Sequence, residues 1–240
     1  MTAPGTSPRT ALLLSGTGRY ADPWHPFADT SAVLAGLLGR AGFDVVIPDE
    51  VDTALADLAD LADTDDMALP SLLAVNVGLP RDGDPSPGTP AAAAGLSRWL
   101  ASERPMLVSH SSSTSFTDLP AWEEGLGGRW IRGTSMHPEY GPASIDVRPC
   151  SGPVVSGIPG FELLDERYSF LRTSPDITVH ATHTYEGMEH PVVWSLERRS
   201  PGTGGNGRTF YDALGHDAAS YQSREHREIL SQAIAWLTCR

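Results

Sequence analysis

The chain has 240 residues, 40% of them hydrophobic, and a formal net charge of -13. Nucleic-acid phosphates and anionic lipid headgroups select basic surfaces, so this balance argues against both as partners and favours a neutral or cationic ligand. No run of about 18 apolar residues is present, so no membrane span is expected.

The opening MTAPGTSPRT is short and polar and lacks the apolar stretch of a signal peptide, and a cytoplasmic location is expected. Cys150 and Cys239 form no CxxC, which speaks against a thiolate zinc site or a thioredoxin motif and suits a reducing compartment. A disulfide between them stays open. The length suits one domain, read as residues 10–240 behind a disordered tail of residues 1–9.

In chain order, TALLLSG (10–16) reads as a buried strand and TSAVLAGLLGRAG (30–42) as a helix, capped by Asp29, Thr30 or Ser31 and ended by Gly42. FDVVIP (43–48) is a second strand, and VDTALADLADLAD (51–63) an acidic amphipathic helix with leucines at 55, 58 and 61. SLLAVNVG (71–78), a Pro/Gly/Asp-rich loop, AAAAGLSRWLASE (91–103) and PMLVSH (105–110) complete a β-α-β-α-β-α-β run. Such alternation implies a parallel sheet with right-handed crossovers. The loops after its first, third and fourth strands then share one sheet edge, where open α/β sheets bind ligands. Those loops carry Asp22 and His25, Asp82 and Asp84, and His110.

The second half is richer in strands: 143–147, 167–172, 177–185, 191–197 and 208–214, with a glycine-rich hairpin tip at 198–208. The final segment, 220–237, places Ile229, Leu230, Ala233, Ile234 and Leu237 on one helical stripe, with Ser220 as the expected cap.

DERYSF (165–170), HPVVWSLE (190–197), GRTFYDALGHD (207–217) and AIAWL (233–237), with SHSSS (109–113) and WEEGLGGRW (122–130), occur in the order found in ThuA-like proteins. The sequence resembles that trehalose-utilisation family over roughly residues 10 to 238. The resemblance implies a flavodoxin-like three-layer sandwich similar to class I glutamine amidotransferases, with β-rich additions in the second half. Where a true amidotransferase holds its cysteine, this chain has His110 among serines, so thiolate hydrolysis of glutamine is excluded. The chain departs from the family pattern before this turn: SERPM replaces a glycine pair, and Ser109 stands where the family has glycine.

His110 at a strand's carboxyl edge can serve as base, acid or metal ligand. His216 ends another strand-like run. Glu166, a base or an oxygen ligand, and Tyr168, a hydroxyl donor, face one side if extended. These give His110, Glu166 and His216 as the candidate catalytic set, and the same three as candidate ligands of a divalent metal such as zinc. Candidate substrate-binding residues are Asp22, His25, Trp24 as a stacking surface for a sugar ring, Ser111, Ser112, His137, Tyr168 and Asp217, the last also suited to backbone N–H groups near the final helix.

His180 and His183 read as structural, and His226 as lying on a charged helix face without a role. GxSxG, the Walker spacing, GxGxxG and HExxH are all missing. The expectation is an enzyme of trehalose or keto-sugar metabolism that uses His/Glu acid–base chemistry, with or without metal, on a small-molecule carbohydrate. The alternative is a non-catalytic sugar-binding or regulatory protein. A homo-dimer is expected on general grounds.

Overall fold

The computed structural model of the protein describes residues 9–61, 69–149 and 151–239. Residues 1–8 of the expected tail, residues 62–63 of the expected second helix, and Cys150 lie outside these ranges.

The first half contains β1 (Arg9–Ser15), α1 (Phe27–Arg40), β2 (Phe43–Val46), α2 (Val51–Leu61), β3 (Leu72–Asn76), α3 (Pro90–Ala101) and β4 (Met106–Ser109). β1 lies between β2 and β3, and β3 pairs with β4, all parallel. The chain moves from β1 outward to β2 and then back past β1 to β3. With right-handed crossovers, this reversal puts α1 and α2 on opposite faces of the sheet. α2 packs on α3, and α1 meets the last helix, α5 (Arg224–Thr238), so helices cover both faces. Every residue of β3 and β4 is buried, the ordinary state of a central parallel strand. Gly95 lets α2 and α3 approach closely: a Cβ there would lie 1.8 Å from the Leu55 carbonyl oxygen.

The second half adds α4 (Pro120–Leu126), β5 (Gly128–Arg129), β6 (Gly141–Val147), β7 (Phe161–Asp165), β8 (Arg172–Thr173), β9 (Thr178–Tyr185), β10 (Met188–Arg199) and β11 (Asn206–Asp212). The main sheet has the order β2-β1-β3-β4-β11-β10-β9-β6-β7. β11 joins β4 in parallel, and β10, β9, β6 and β7 continue as antiparallel ladders. β6 divides its pairing. Asp146 and Val147 bond to β9, while 141–145 pair with β7. This hairpin brings the end of β7 against the 3-10 turn Ser220–Gln222 that precedes α5.

Several boundaries differ from the sequence reading. α1 starts at Phe27, after Pro26, so Asp29, Thr30 and Ser31 lie inside it and none is the cap. Thr30 and Ser31 are buried and accept hydrogen bonds from the Asn76 side-chain amide, both at 2.9 Å. α5 is capped by Ser223, whose hydroxyl accepts from the His226 N–H at 3.2 Å, and Ser220 belongs to the preceding turn. Segment 167–172 is not a full strand. Phe170 adopts φ +58, and only β8 and a bridge between Ser169 and Met136 form there. The sequence pattern assigns no element to 161–165, where β7 forms.

Candidate metal centre

After β4 the chain reverses through a 3-10 turn, His110–Thr114, with His110 at φ +42, a left-handed conformation that costs a non-glycine residue energy. Ser109 itself is extended, at φ -115, so the family's glycine is not required there. The serines hold the turn. Ser112 donates to Val75 O at 3.1 Å and accepts from Val77 N at 2.9 Å, and Ser111 donates to Val77 O at 3.1 Å. Ser115 donates to Gly78 O at 2.7 Å, and Tyr211 donates to Ser113 at 2.9 Å. Ser111 and Ser112 are buried with their hydroxyls bonded to backbone. The structure therefore places them in the scaffold of the turn rather than on a ligand-facing surface.

The strained turn delivers the His110 ring to the sheet edge. Its Nδ1 lies 2.6 Å from Ala213 O, and a carbonyl only accepts, so Nδ1 carries a proton and Nε2 is the nitrogen turned towards the cluster. That Nε2 is buried, lacks a hydrogen-bond partner, and lies 3.4 Å from Glu166 Oε2. His25, in the loop after β1, repeats the arrangement. Asp22 takes its Nδ1–H at 2.8 Å, and its Nε2 is buried and unpartnered. Asp22, expected to touch substrate, orients His25 instead, and also accepts the backbone N–H groups of Trp24 and His25. His216 brings Nδ1 to 3.3 Å from Glu166 Oε1, again without a hydrogen bond.

Asp165 is the clasp that brings Glu166 to His216. One carboxylate oxygen accepts from Glu166 N at 2.8 Å and His216 N at 3.1 Å, and the other accepts from Gly215 N at 2.7 Å. Sequence reasoning missed this residue, although it immediately precedes Glu166 and ends the unread strand.

The electrostatics follow from the packing. Burial alone would raise the Glu166 pKa, but His110 and His216 pull it well below the usual carboxylate range. His216 moves the other way: burial opposes its protonation, yet Glu166 raises its pKa overall. His25 is lowered, chiefly by burial and against the pull of Asp22. Burial also pushes the Tyr168 hydroxyl far above its ordinary value, so it stays protonated. The Tyr168 ring packs on His110 at 4.3 Å and on Trp130 at 4.6 Å between centroids.

The remaining candidates lie around this core. His137 gives Nδ1–H to Pro138 O at 2.9 Å, which leaves Nε2 facing Glu166 Oε1 at 3.6 Å. Its side chain is 38% exposed, so it forms the rim. Tyr140, also missed, packs on His216 at 5.4 Å and hydrogen-bonds Asp217; burial and Asp217 push its hydroxyl up to about 12. Asp217 also accepts from Ala219 N at 2.7 Å, the backbone role expected for it. Trp24 is 54% exposed, with the Arg81 guanidinium 4.4 Å from its ring centroid. Asp82 and Asp84 do not reach the cluster: Arg19 takes the Asp82 carboxylate at 2.8 and 2.9 Å and the Asp84 carbonyl at 3.2 Å.

One ligand atom each from His25, His110, Glu166 and His216 lie within 4.8 Å of one another. Bonds of about 2.1 Å to a tetrahedral zinc place ligand atoms roughly 3.4 Å apart. Glu166 meets His216 through Oε1 at 3.3 Å and His110 through Oε2 at 3.4 Å, separations of that order. Three buried, unpartnered imidazole nitrogens and a carboxylate fit the preferences of zinc and its neighbours, and Asp22 and Ala213 O supply the outer contacts that metal-bound histidines use. The cluster could hold a metal ion.

The fold is that of a glutamine amidotransferase-like sandwich, with antiparallel strands added in the second half. The family model for ThuA, trehalose utilisation, matches residues 11–237, and the chain belongs to that family. Among solved structures, a ThuA-like protein from Parabacteroides merdae aligns with a TM-score of 0.69 at 18% identity, over 97% of this chain and 90% of that one. A ThuA-like protein from Bacteroides uniformis gives 0.70 at 15% identity, over 98% and 94%. A glutamine amidotransferase from Thermotoga maritima gives 0.51 at 7% identity, over 97% of each chain. No curated protein matches the sequence. Among the described residues, no helix is long and apolar enough to cross a membrane.

Proposed function

We propose that this chain is an enzyme that binds a divalent metal, zinc or a cation of similar ligand preference, and uses it with His/Glu acid–base chemistry on a small carbohydrate. The supporting observation is the convergence of His25, His110, Glu166 and His216 with three imidazole nitrogens buried and unpartnered. A bound divalent cation supplies Lewis-acid polarisation of a substrate oxygen. His25, His110, His216 and Glu166 would hold it, while Asp22 and the Ala213 carbonyl fix which nitrogen of the first two faces the cluster. His137, on the rim, accepts a proton at Nε2 from the substrate and returns it, since its Nδ1 is committed to Pro138 O. Tyr168 closes the apolar side of the His110 ring.

The carbohydrate class comes from the family's description and agrees with the exposed aromatic face of Trp24 beside His25, which suits the C–H face of a sugar ring. A disaccharide or keto-sugar is the proposed substrate, handled in the cytoplasm, with a homo-dimer as the proposed assembly. The test is turnover of a panel of disaccharides and their keto derivatives by the zinc-loaded protein. His110→Ala and His216→Ala should each lose at least about a thousandfold in kcat/KM. Unchanged turnover in both variants would sink the proposal, and sugar binding without any turnover by the wild type would make the chain a sugar-binding protein.

A further inference from the structure

The sequence places His226 among Arg224, Glu225, Arg227 and Glu228, on an apparently charged face. In the structure its side chain is fully buried, three and four residues before Ile229 and Leu230 on the apolar stripe of α5. Its Nε2 lies 2.7 Å from Asp212 Oδ2. Its Nδ1 lies 3.2 Å from the Ser220 carbonyl oxygen and 3.0 Å from the Ser220 hydroxyl. A carbonyl only accepts, so Nδ1 carries a proton, and the carboxylate at Nε2 calls for a second one. The charged and titratable groups facing this ring are Asp212 from β11, Tyr221 stacked on it at 5.0 Å, and the charge of Asp165 at the end of β7. Burial works against a charge on His226, but Asp212 outweighs it and raises the pKa.

Both ends of this contact lead to the metal centre. The second oxygen of Asp212 accepts from Leu214 N at 3.0 Å, which fixes the turn after β11. Ala213 in that turn supplies the carbonyl that sets the His110 tautomer. On the other side, the turn of Ser220 packs against the end of β7, where Asp165 holds the backbone of Glu166, Gly215 and His216. We propose that His226 is a positioning residue of this site: a buried imidazolium that holds Asp212 and Ser220, and through them the segments carrying His110's carbonyl partner, Glu166 and His216. This rests on the reading of the cluster as a metal centre only where metal affinity is the readout.

The test combines side-chain 15N NMR with zinc binding. In the wild type at pH 8, His226 should show both ring nitrogens protonated, while His110 shows a hydrogen-bonded Nδ1 proton. His226→Gln should erase that Nδ1 signal of His110 and weaken Zn2+ binding at least about tenfold, as outer-contact losses do. The single variant strands the Asp212 carboxylate, so Asp212→Asn/His226→Gln, a neutral hydrogen-bonded pair, separates positioning from folding. It should melt near the wild type yet keep the altered His110 signature and the weaker Zn2+ binding. A neutral His226 in the wild type would overturn the proposal, as would a double variant with wild-type His110 signals and Zn2+ affinity. If the wild type takes up no Zn2+, the metal reading falls, and the His110 proton signal alone decides the role of His226.

Discussion

His110 Nδ1 lies 2.6 Å from the carbonyl oxygen of Ala213, and this contact decides which nitrogen of His110 is free. The turn after β4 adopts φ +42 to place the ring there, and the Nδ1 contact leaves Nε2 as the nitrogen 3.4 Å from Glu166 Oε2. His25 reaches the same state through Asp22. Two histidines from loops 85 residues apart in sequence thus arrive with the same nitrogen free and without a protein partner for it.

The backbone at His110 separates strain from function. His110→Gly should be more stable than His110→Ala by about 1 kcal/mol, because only glycine occupies φ +42 without penalty. Both variants remove the same imidazole and should lose Zn2+ binding alike. Chemical denaturation of the pair, with calorimetric zinc titration, checks both parts.

Asp22→Asn should leave the fold in place and weaken Zn2+ binding by about 10- to 100-fold, the range for loss of a histidine-orienting carboxylate. Competition against a chelating dye gives the ratio. Affinity equal to the wild type would show that Asp22 does not set the His25 tautomer.

Much of this fold is legible because β1 to β4 and their helices are set by local pattern, as the run of apolar residues in LLAV and MLVS shows. His110, Glu166, His216 and His25 were each singled out from strand ends or motifs. Their convergence was not legible, because it depends on β7, whose FELLD leaves Leu164 exposed and blurs the alternation that marks a strand. The serines after His110 look like a ligand surface in sequence, but only the structure shows their hydroxyls bonded to Val75, Val77 and Gly78. His226 was legible in principle, since it lies at helical spacing from Ile229, Leu230 and Ala233, but its charged neighbours hid that face.

The pH dependence should differ in sign between metal-free and zinc-loaded protein. The raised pKa of His216 means its pairing with Glu166 stabilises the chelated protein fully below about pH 6.5 and less as pH rises through the folded value. His216→Gln should remove that falling contribution above about pH 6.5. The depressed pKa of Glu166 keeps its own contribution until strong acid. Zinc binding requires His216 to release its proton, so the rise in Tm on adding zinc should grow with pH between about 6 and 8. Differential scanning calorimetry with chelator and with zinc reads both slopes.

Gly95→Ala tests the contact between α2 and α3. Alanine is the better helix former, yet its Cβ would lie 1.8 Å from Leu55 O, so the substitution should destabilise by about 2 kcal/mol or more. Urea denaturation measures this directly, and a gain in stability would mean that the two helices separate at little cost.

The most direct test of the metal centre is elemental analysis of protein stripped with chelator, reloaded with Zn2+ and desalted, beside His25→Ala, His110→Ala and His216→Ala. One equivalent of zinc per chain in the wild type, lost in all three variants, is the predicted result. A wild type that retains no zinc, or variants that retain as much as it does, would contradict the assignment of this cluster as a metal site.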